Sequence, residues 1–271
     1  MKTKLYIFVL GFFMISSGLQ AQLFNKIKGK IEDKAAEVVE EGLNAGKKNK
    51  NTKSRSGRIQ LGEVMDFNPA DSIIYATNFS RTKVGSMPQD WKTTGSGSVI
   101  PVSQIGGNWL KMSERTSYKL NKSLYYPEDF TVEFDLLVAA DKVDDLSSLY
   151  FGFTKDNSLS RWISSNNIWY TELQYMNNND VVVSSPSADI YQALNYDLET
   201  YANQVMHIAI EVHQDQVKIF LDGNKIADTK LFNREKAKHF FISSPLRQNH
   251  NSTTLISNFK ISVYKDLLGK L

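Results

Sequence analysis

The sequence of 271 residues contains no cysteine. This absence excludes disulfide bonds and any lipid anchor attached through a thiol, so the fold must be stabilised by burial of side chains alone. Long apolar runs are also missing. The apolar run at residues 5–15 is shorter than the roughly 20 residues that a membrane-spanning helix needs. No internal repeat and no glycine-rich phosphate-binding loop occurs in the sequence.

The first residues have the pattern of a signal for export. Lys2 and Lys4 precede the apolar run, and small and polar residues follow it up to Ala21. A basic start, a short apolar core and a small residue at the cleavage position are typical of a signal peptide. The sequence therefore predicts a signal peptide at residues 1–21 and an exported mature protein.

Charge is unevenly distributed along the chain. Residues 22–58 contain ten basic and five acidic side chains, whereas residues 59–271 carry a net charge of −4. The basic stretch lacks interleaved aromatic residues, and export separates the chain from the genome. We therefore expect no nucleic-acid partner.

Residues 22–45 are predicted to form an amphipathic leader helix. Phe24, Ile27, Ile31, Ala35 and Val38 recur at steps of three and four residues, which is the helical period. The apolar stripe is narrow, so three interpretations stay open: self-association, contact with an anionic membrane surface, or a solvated helix. Residues 46–63 are predicted to be a flexible basic linker, because residues 46–58 have no apolar side chain.

Residues 64–271 change to the period-two alternation of β-strands. Phe130–Val138, Gln204–His213 and Gln216–Leu221 each place apolar side chains on one face. Gln214-Asp215 and Asp222-Gly223 are typical of tight hairpin turns. The pattern predicts an all-β fold, a two-sheet antiparallel jelly-roll sandwich. Further strands are expected near residues 73–77, 98–103, 109–113, 147–154, 168–176, 180–184, 239–243 and 254–264.

Several of these segments resemble a known family. Residues 206–210 (MHIAI) followed by residues 217–223 (VKIFLDG) resemble a hairpin of concanavalin A-like and laminin G-like domains, and residues 256–261 (ISNFKI) resemble their final strand. With residues 74–80, 84–91 and 130–135, the order is similar to the N-terminal sandwich of some outer-membrane-protein-A-like envelope proteins. The resemblance covers about residues 64–268.

This resemblance implies an accessory module of the cell envelope. In those envelope proteins a peptidoglycan-binding domain follows the sandwich, but residues 266–271 carry none of its contacting residues, so that activity is not transferred. The expected protein is exported, periplasmic or associated with the outer membrane. Its expected role is a non-catalytic binding or structural module whose partner is a glycan or an envelope protein.

The alternative is a divergent glycan hydrolase, because laminarinase-type enzymes share this sandwich. Their active strand carries Glu-x-Asp-x-Glu. Glu133 and Asp135 occupy the first two positions, but the third falls on Leu137 or, with a bulge, on Val138. Retaining hydrolysis needs two carboxyl groups in separate roles as nucleophile and acid/base. We therefore expect no enzymatic activity at this strand and interpret its acids as a solvated face.

Metal and cofactor binding are not expected either. His207, Glu211 and His213 share one strand face, but the two histidines are about 20 Å apart, too far for one ion. Asp141, Asp144 and Asp145 lie in a segment that resembles a calcium loop, yet loop carboxylates without a full set of oxygen ligands are usually only hydrated.

Aromatic residues give the strongest indication of a ligand. Residues 161–175 combine rings and amides, and Trp169 and Tyr175 alternate with Tyr170 on opposite faces of one predicted strand. One face must be core, so at least one ring should lie outside it. An exposed ring suits the face of a sugar. Trp162, Trp169, Tyr170 and Tyr175 are therefore the candidate glycan-binding residues; the competing interpretation is that all four are packing residues.

Overall fold

The computed structural model describes residues 67–160, 166–176, 180–235 and 237–265. The predicted signal peptide, leader helix and linker lie outside the described residues, as does Trp162. Within the described ranges, no helix is long and apolar enough to cross a membrane.

One layer is an eight-stranded antiparallel sheet. Its order is β13-β12-β11-β6-β15-β4-β3, with β1 also paired to β15. The strands are β1 Ser72–Thr77, β3 Gly97–Pro101, β4 Asn108–Met112, β6 Asp129–Ala139, β11 Val205–His213, β12 Gln216–Leu221, β13 Asn224–Lys230 and β15 Thr253–Val263.

The other layer is a seven-stranded antiparallel sheet with the order β10-β9-β8-β7-β14-β5-β2. Its strands are β2 Trp91–Thr93, β5 Ser117–Leu120, β7 Leu149–Thr154, β8 Asn167–Gln174, β9 Asp180–Ser185, β10 Ile190–Asn195 and β14 His239–Ser243. Two short 3-10 helices, Val143–Asp145 and Glu199–Tyr201, lie in connections.

The two sheets pack face to face around an aromatic core. Phe134 of β6 contacts Phe151 and Phe240 of the other sheet, with ring centroids 5.6 and 5.8 Å apart. The alternation within each strand produces this arrangement, because successive side chains point to opposite faces. The predicted two-sheet antiparallel sandwich is confirmed.

Both predicted hairpin turns are confirmed as well. His213 pairs with Gln216, and Leu221 pairs with Asn224. Asp222 and Gly223 both have positive φ, 48° and 79°, as the two central residues of a type I′ turn require. Strands β2, β5, β10 and β13 were not expected from the sequence.

The first described residues cover part of the outer face of the eight-stranded sheet. The ring of Phe67 lies 5.5 Å from that of Phe220. The Asn68 amide donates to Glu211 at 3.1 Å, and the Tyr264 hydroxyl donates to the Asn68 carbonyl at 2.8 Å. These contacts cover the outer face around Phe220 and Glu211. They leave it uncovered where the groove described below lies.

Candidate functional site

The floor of the groove is formed by three adjacent strands of the eight-stranded sheet. In their register, Asp135 of β6 lies opposite His207 of β11, and Glu133 of β6 lies opposite Lys260 of β15. Residues that face each other on antiparallel strands project to the same side. Two acids and two basic side chains from three strands therefore meet on one outer face.

An opening between two strands deepens the floor. β4 pairs with the first part of β15, through residues 254–256, and β1 pairs with its last part, through residues 259–263. Between them the β6–β15 ladder shifts register from Ser257 to Lys260. Asn258 lies in this bulge with φ 49°. A bulge redirects a side chain, and here the Asn258 amide turns toward the carboxylate of Asp135.

One wall of the groove is the connection from β1 to β2, residues 78–90. Phe79 is buried and has φ 58°, a conformation that is strained for a bulky side chain. Two hydrogen bonds to the Phe79 carbonyl hold this backbone conformation. The Thr82 amide donates one at 3.0 Å and the Asn108 side chain donates the other at 3.3 Å. The cavity between this wall and the floor has a volume of about 1140 Å³. A smaller cavity of about 450 Å³ continues past Asp135 toward Trp109.

The floor side chains form one connected network. His207 Nδ1 lies 2.8 Å from Asp135 Oδ1, and His207 Nε2 lies 3.6 Å from Glu133 Oε2. Lys260 Nζ lies 3.0 Å from Glu133 Oε1, and Asn258 Nδ2 donates to Asp135 Oδ2 at 2.7 Å. Each carboxylate is thus engaged by two neighbouring side chains.

These contacts determine which groups are charged. The hydrogen bond to Asp135 and the ion pair with Glu133 raise the pKa of His207 to about 9, against the opposing effect of burial. Burial favours a higher pKa for Glu133 and Asp135, but polar contacts outweigh it and hold both pKa values below their ordinary range. Asp135 accepts hydrogen bonds from His207 and Asn258, whereas Glu133 forms ion pairs with His207 and Lys260. At neutral pH the floor therefore carries two carboxylates and two cations.

Neither floor carboxyl holds the proton that the acid of a glycoside hydrolase donates. A general acid must hold its proton at the working pH, which requires a raised carboxyl pKa. The pKa values of both floor carboxyls are lowered instead. The position of the third acid, Leu137, is buried in a small cluster with Trp109 and Leu255. The arrangement suits binding through fixed charges and hydrogen bonds.

Comparisons with known proteins identify no family. No family model matches the chain, and no curated protein matches it. Solved structures do match. The exoplasmic/lumenal domain of VIP36, solved in its Ca²⁺/Man3GlcNAc-bound form, is 13% identical with a TM-score of 0.48, covering 65% of this chain and 84% of that one. Arcelin-5, a lectin-like defence protein of Phaseolus vulgaris, is 12% identical with a TM-score of 0.49, covering 69% and 96%.

A further match is the binding domain of botulinum neurotoxin serotype D, 16% identical with a TM-score of 0.47 and covering 71% of this chain. The match spans 48% of the neurotoxin chain, about half its length. All three TM-scores are below 0.5, so the assignment of the fold rests on the observed strand pairing. Ligand and activity follow from none of these similarities.

The structure separates the predicted aromatic residues. Trp169 and Tyr175 have exposed fractions of 0% and 1% and belong to the main core. They present no surface to a glycan, so their expected ligand contact is corrected to core packing. Tyr170 is on the opposite face of β8 and is half-buried, as the alternation predicted for at least one ring.

Tyr170 has polar and aromatic neighbours on the outer face of the seven-stranded sheet. Its ring lies 6.0 Å from that of Tyr150, and the Tyr150 hydroxyl donates to Glu172 at 2.8 Å. This pair of rings is on the other layer from the groove. The groove and the predicted aromatic site are therefore two distinct places.

The two histidines of β11 have separate partners. His207 and His213 lie at opposite ends of β11 and do not share a site. His213 instead contacts Glu211 at 2.8 Å and Asp129 at 3.3 Å. Among the described residues no group of three or more acids and histidines could hold a metal ion. Asp145, from the segment that resembles a calcium loop, lies 2.6 Å from His250 Nδ1 through Oδ1.

Sequence reasoning missed the role of His207, and its expectation of a solvated strand face was wrong. Glu133 is buried, and Asp135 is mostly covered. The alternation did place Glu133 and Asp135 on one face and His207 on one face of its own strand. Only the pairing of β6 with β11, 72 residues later along the chain, joins them.

Proposed function

We propose that the chain is an exported, non-catalytic binding module of the cell envelope, with a concanavalin A-like sandwich that holds a glycan in the groove over β6, β11 and β15. The observation that carries this proposal is the groove of about 1140 Å³ with a self-neutralised polar floor. A cavity of this size, on the order of the 300–1,000 Å³ of ordinary ligand sites or slightly larger, has room for several sugar units.

The lining chemistry supports a sugar. The wall supplies hydroxyl and amide side chains, which match sugar hydroxyl groups as donors and acceptors. These are Asn78, Ser80, Thr82, Ser86 and Gln89. Tyr75 adds a half-buried ring at the same place. Since the floor groups are already fixed by one another, little ordering is needed when a ligand binds.

A glycan array on the mature protein tests this proposal. Asp135→Asn should weaken groove binding at least about tenfold, because it loosens both His207 and Asn258 and each good charged hydrogen bond contributes roughly 1.5–3 kcal/mol. Asp228→Asn is the matched control, since Asp228 lies on β13 of the same sheet outside the groove and binds Lys225 and Gln216. Equal affinities of the two variants would contradict the groove as the site.

The rival function is a divergent glycan hydrolase whose catalytic carboxylates do not form the complete Glu-x-Asp-x-Glu triplet. A hydrolysis screen on β-glucans distinguishes the two. Saturable binding without product supports the module, whereas turnover abolished by Glu133→Gln would replace it with an enzyme. A protein that binds nothing on the array and pellets with membranes would be a structural envelope protein.

The aromatic site remains a second proposal on the other sheet. Tyr170 is a predicted ligand residue that lies outside the core, and Trp162, which is outside the described residues, stays a predicted ligand residue. In the same array, Tyr170→Ala and Trp162→Ala should weaken binding if the ligand lies on the seven-stranded sheet. Unchanged affinity in both variants, together with loss in Asp135→Asn, assigns the ligand to the groove.

The leader is proposed to tether the sandwich, through self-association or contact with a membrane surface. Deletion of residues 22–58 should leave the sandwich folded, because contacts from Phe67 onward anchor its first described residues to the sheet. The deletion should change the oligomeric state or the recovery with membranes. Circular dichroism, light scattering and membrane fractionation measure this, and an unfolded product would show that the leader packs on the sheets.

A further inference from the structure

Resting on the proposed function, we infer that the groove selects acidic glycans, meaning sugars that carry carboxylate or sulfate groups. The first observation is which atoms of the floor a ligand can reach. The side chains of His207 and Lys260 are 42% and 34% exposed, whereas those of Glu133 and Asp135 are 9% and 17% exposed. The floor is neutral in sum but presents its cations to the groove.

The rim adds further positive charge. Arg81 and Lys83 line the groove and are exposed. Neither forms an ion pair within the part of the chain that the structure describes. Asp90 is an acid on the same rim, so the groove as a whole carries an excess of one positive charge when His207 is protonated. Residues 59–271 together carry −4, so this cationic groove lies on an acidic domain.

The polar wall distinguishes a sugar from other anions. An anionic lipid surface would favour exposed apolar side chains beside the cations. Val84 is one such side chain in the wall, but it does not line the groove, where the wall offers mainly hydroxyl and amide groups. A carboxylate on a pyranose ring could reach Arg81, Lys83, His207 or Lys260 while its ring hydroxyls bind the wall. Charge-assisted hydrogen bonds of this kind are about twice as strong as neutral ones.

Polygalacturonate and its fully methyl-esterified form provide a matched pair of ligands, because they share one backbone and differ in charge. The mature protein should bind the acid form at least about tenfold more tightly, and about 500 mM salt should reduce this preference by screening. Arg81→Glu with Lys83→Glu should abolish it. Lys230→Glu, an exposed change on β13 outside the groove, should not. Dextran sulfate separates recognition of sulfate from recognition of carboxylate.

Each outcome decides between the two proposals. Equal or tighter binding of the ester, still lost in Asp135→Asn, would overturn the acidic preference and keep a groove for neutral glycans. Binding of neither polymer nor dextran sulfate would overturn this inference, and an empty array would remove the proposed function with it. Equally tight binding to vesicles rich in anionic lipid, lost in the same rim variants, would replace the glycan with a membrane surface.

Discussion

Gly152→Ala is expected to lower the free energy of unfolding by about 3 kcal/mol, a large effect for one methyl group. Gly152 lies in the middle of β7, opposite Tyr170 of β8 and Phe241 of β14. A Cβ atom there would be 2.2 Å from the Trp169 carbonyl oxygen and 2.8 Å from the Tyr170 Cα. Both neighbours are backbone atoms, so the strands themselves must move apart. Urea unfolding of the variant and the wild type measures the difference.

Gly85→Ala is the control for this prediction. Gly85 has φ 83° and no atom within 4 Å of an added Cβ, so alanine there costs only backbone strain, about 1 kcal/mol. A Gly152→Ala variant no less stable than Gly85→Ala would mean that β7 and β8 adapt without loss. Because Tyr170 lies on β8, the same variant should also disturb the proposed aromatic site and leave the groove of the other sheet intact.

The predictable part of the fold was the part with regular alternation. β6, β11 and β12 have one apolar face each, so their period identified them. β5, Ser117–Leu120, escaped because it is only four residues long, too short for its alternation to identify it. In the structure Lys119 is buried, with Nζ 2.6 Å from Thr154 Oγ1 and 2.9 Å from the Asp156 carbonyl. Burial lowers the pKa of Lys119 to about 8. Tertiary contacts thus stabilise a strand that is too short for its local pattern to reveal it.

Edge strands were missed for the opposite reason. β10 and β13 end the two sheets, where side chains need not be apolar because one side of the strand meets water. β13 carries Lys225, Asp228 and Lys230, charges that also discourage pairing with another chain. A polar sequence of this kind is indistinguishable from a loop until its partner strand is known.

The site was harder to predict than the fold because it depends on strand order. The period gave the faces of β6 and β11 separately, and no local signal states that they are neighbours. The bulge at Asn258 was equally invisible, since it arises where β1 and β4 both pair with β15. For the aromatic residues, the alternation correctly placed Tyr170 on the opposite strand face from Trp169 and Tyr175. It did not show which of the two faces belongs to the core.

His207→Ala is expected to lower the free energy of unfolding by about 2 kcal/mol at pH 7. The change removes the cation that engages Asp135 and Glu133, and leaves Lys260 alone to balance two largely covered carboxylates. Removing one partner of a fully buried ion pair costs about 3–5 kcal/mol. The exposure of His207 reduces this figure through solvent screening. Urea unfolding at several pH values measures the loss.

The pH dependence identifies the cause. Because the pKa of His207 is raised to about 9, its charge contributes stability that is fully present below the unfolded pKa of about 6.5 and is lost as the pH rises through about 9. The difference between wild type and variant should therefore shrink by about 1 kcal/mol between pH 7 and pH 10. Asp135 and Glu133 remain ionised over this range because their pKa values are lowered, so the change belongs to His207.

His250→Ala is the matched control, since His250 pairs with Asp145 at an exposed position and its removal should cost about 0.5 kcal/mol or less. Parallel pH profiles of wild type and His207→Ala would show that His207 is neutral in the folded protein. In that case the groove floor would carry a net negative charge. The floor would then no longer support a preference for acidic glycans, and only the rim cations Arg81 and Lys83 would.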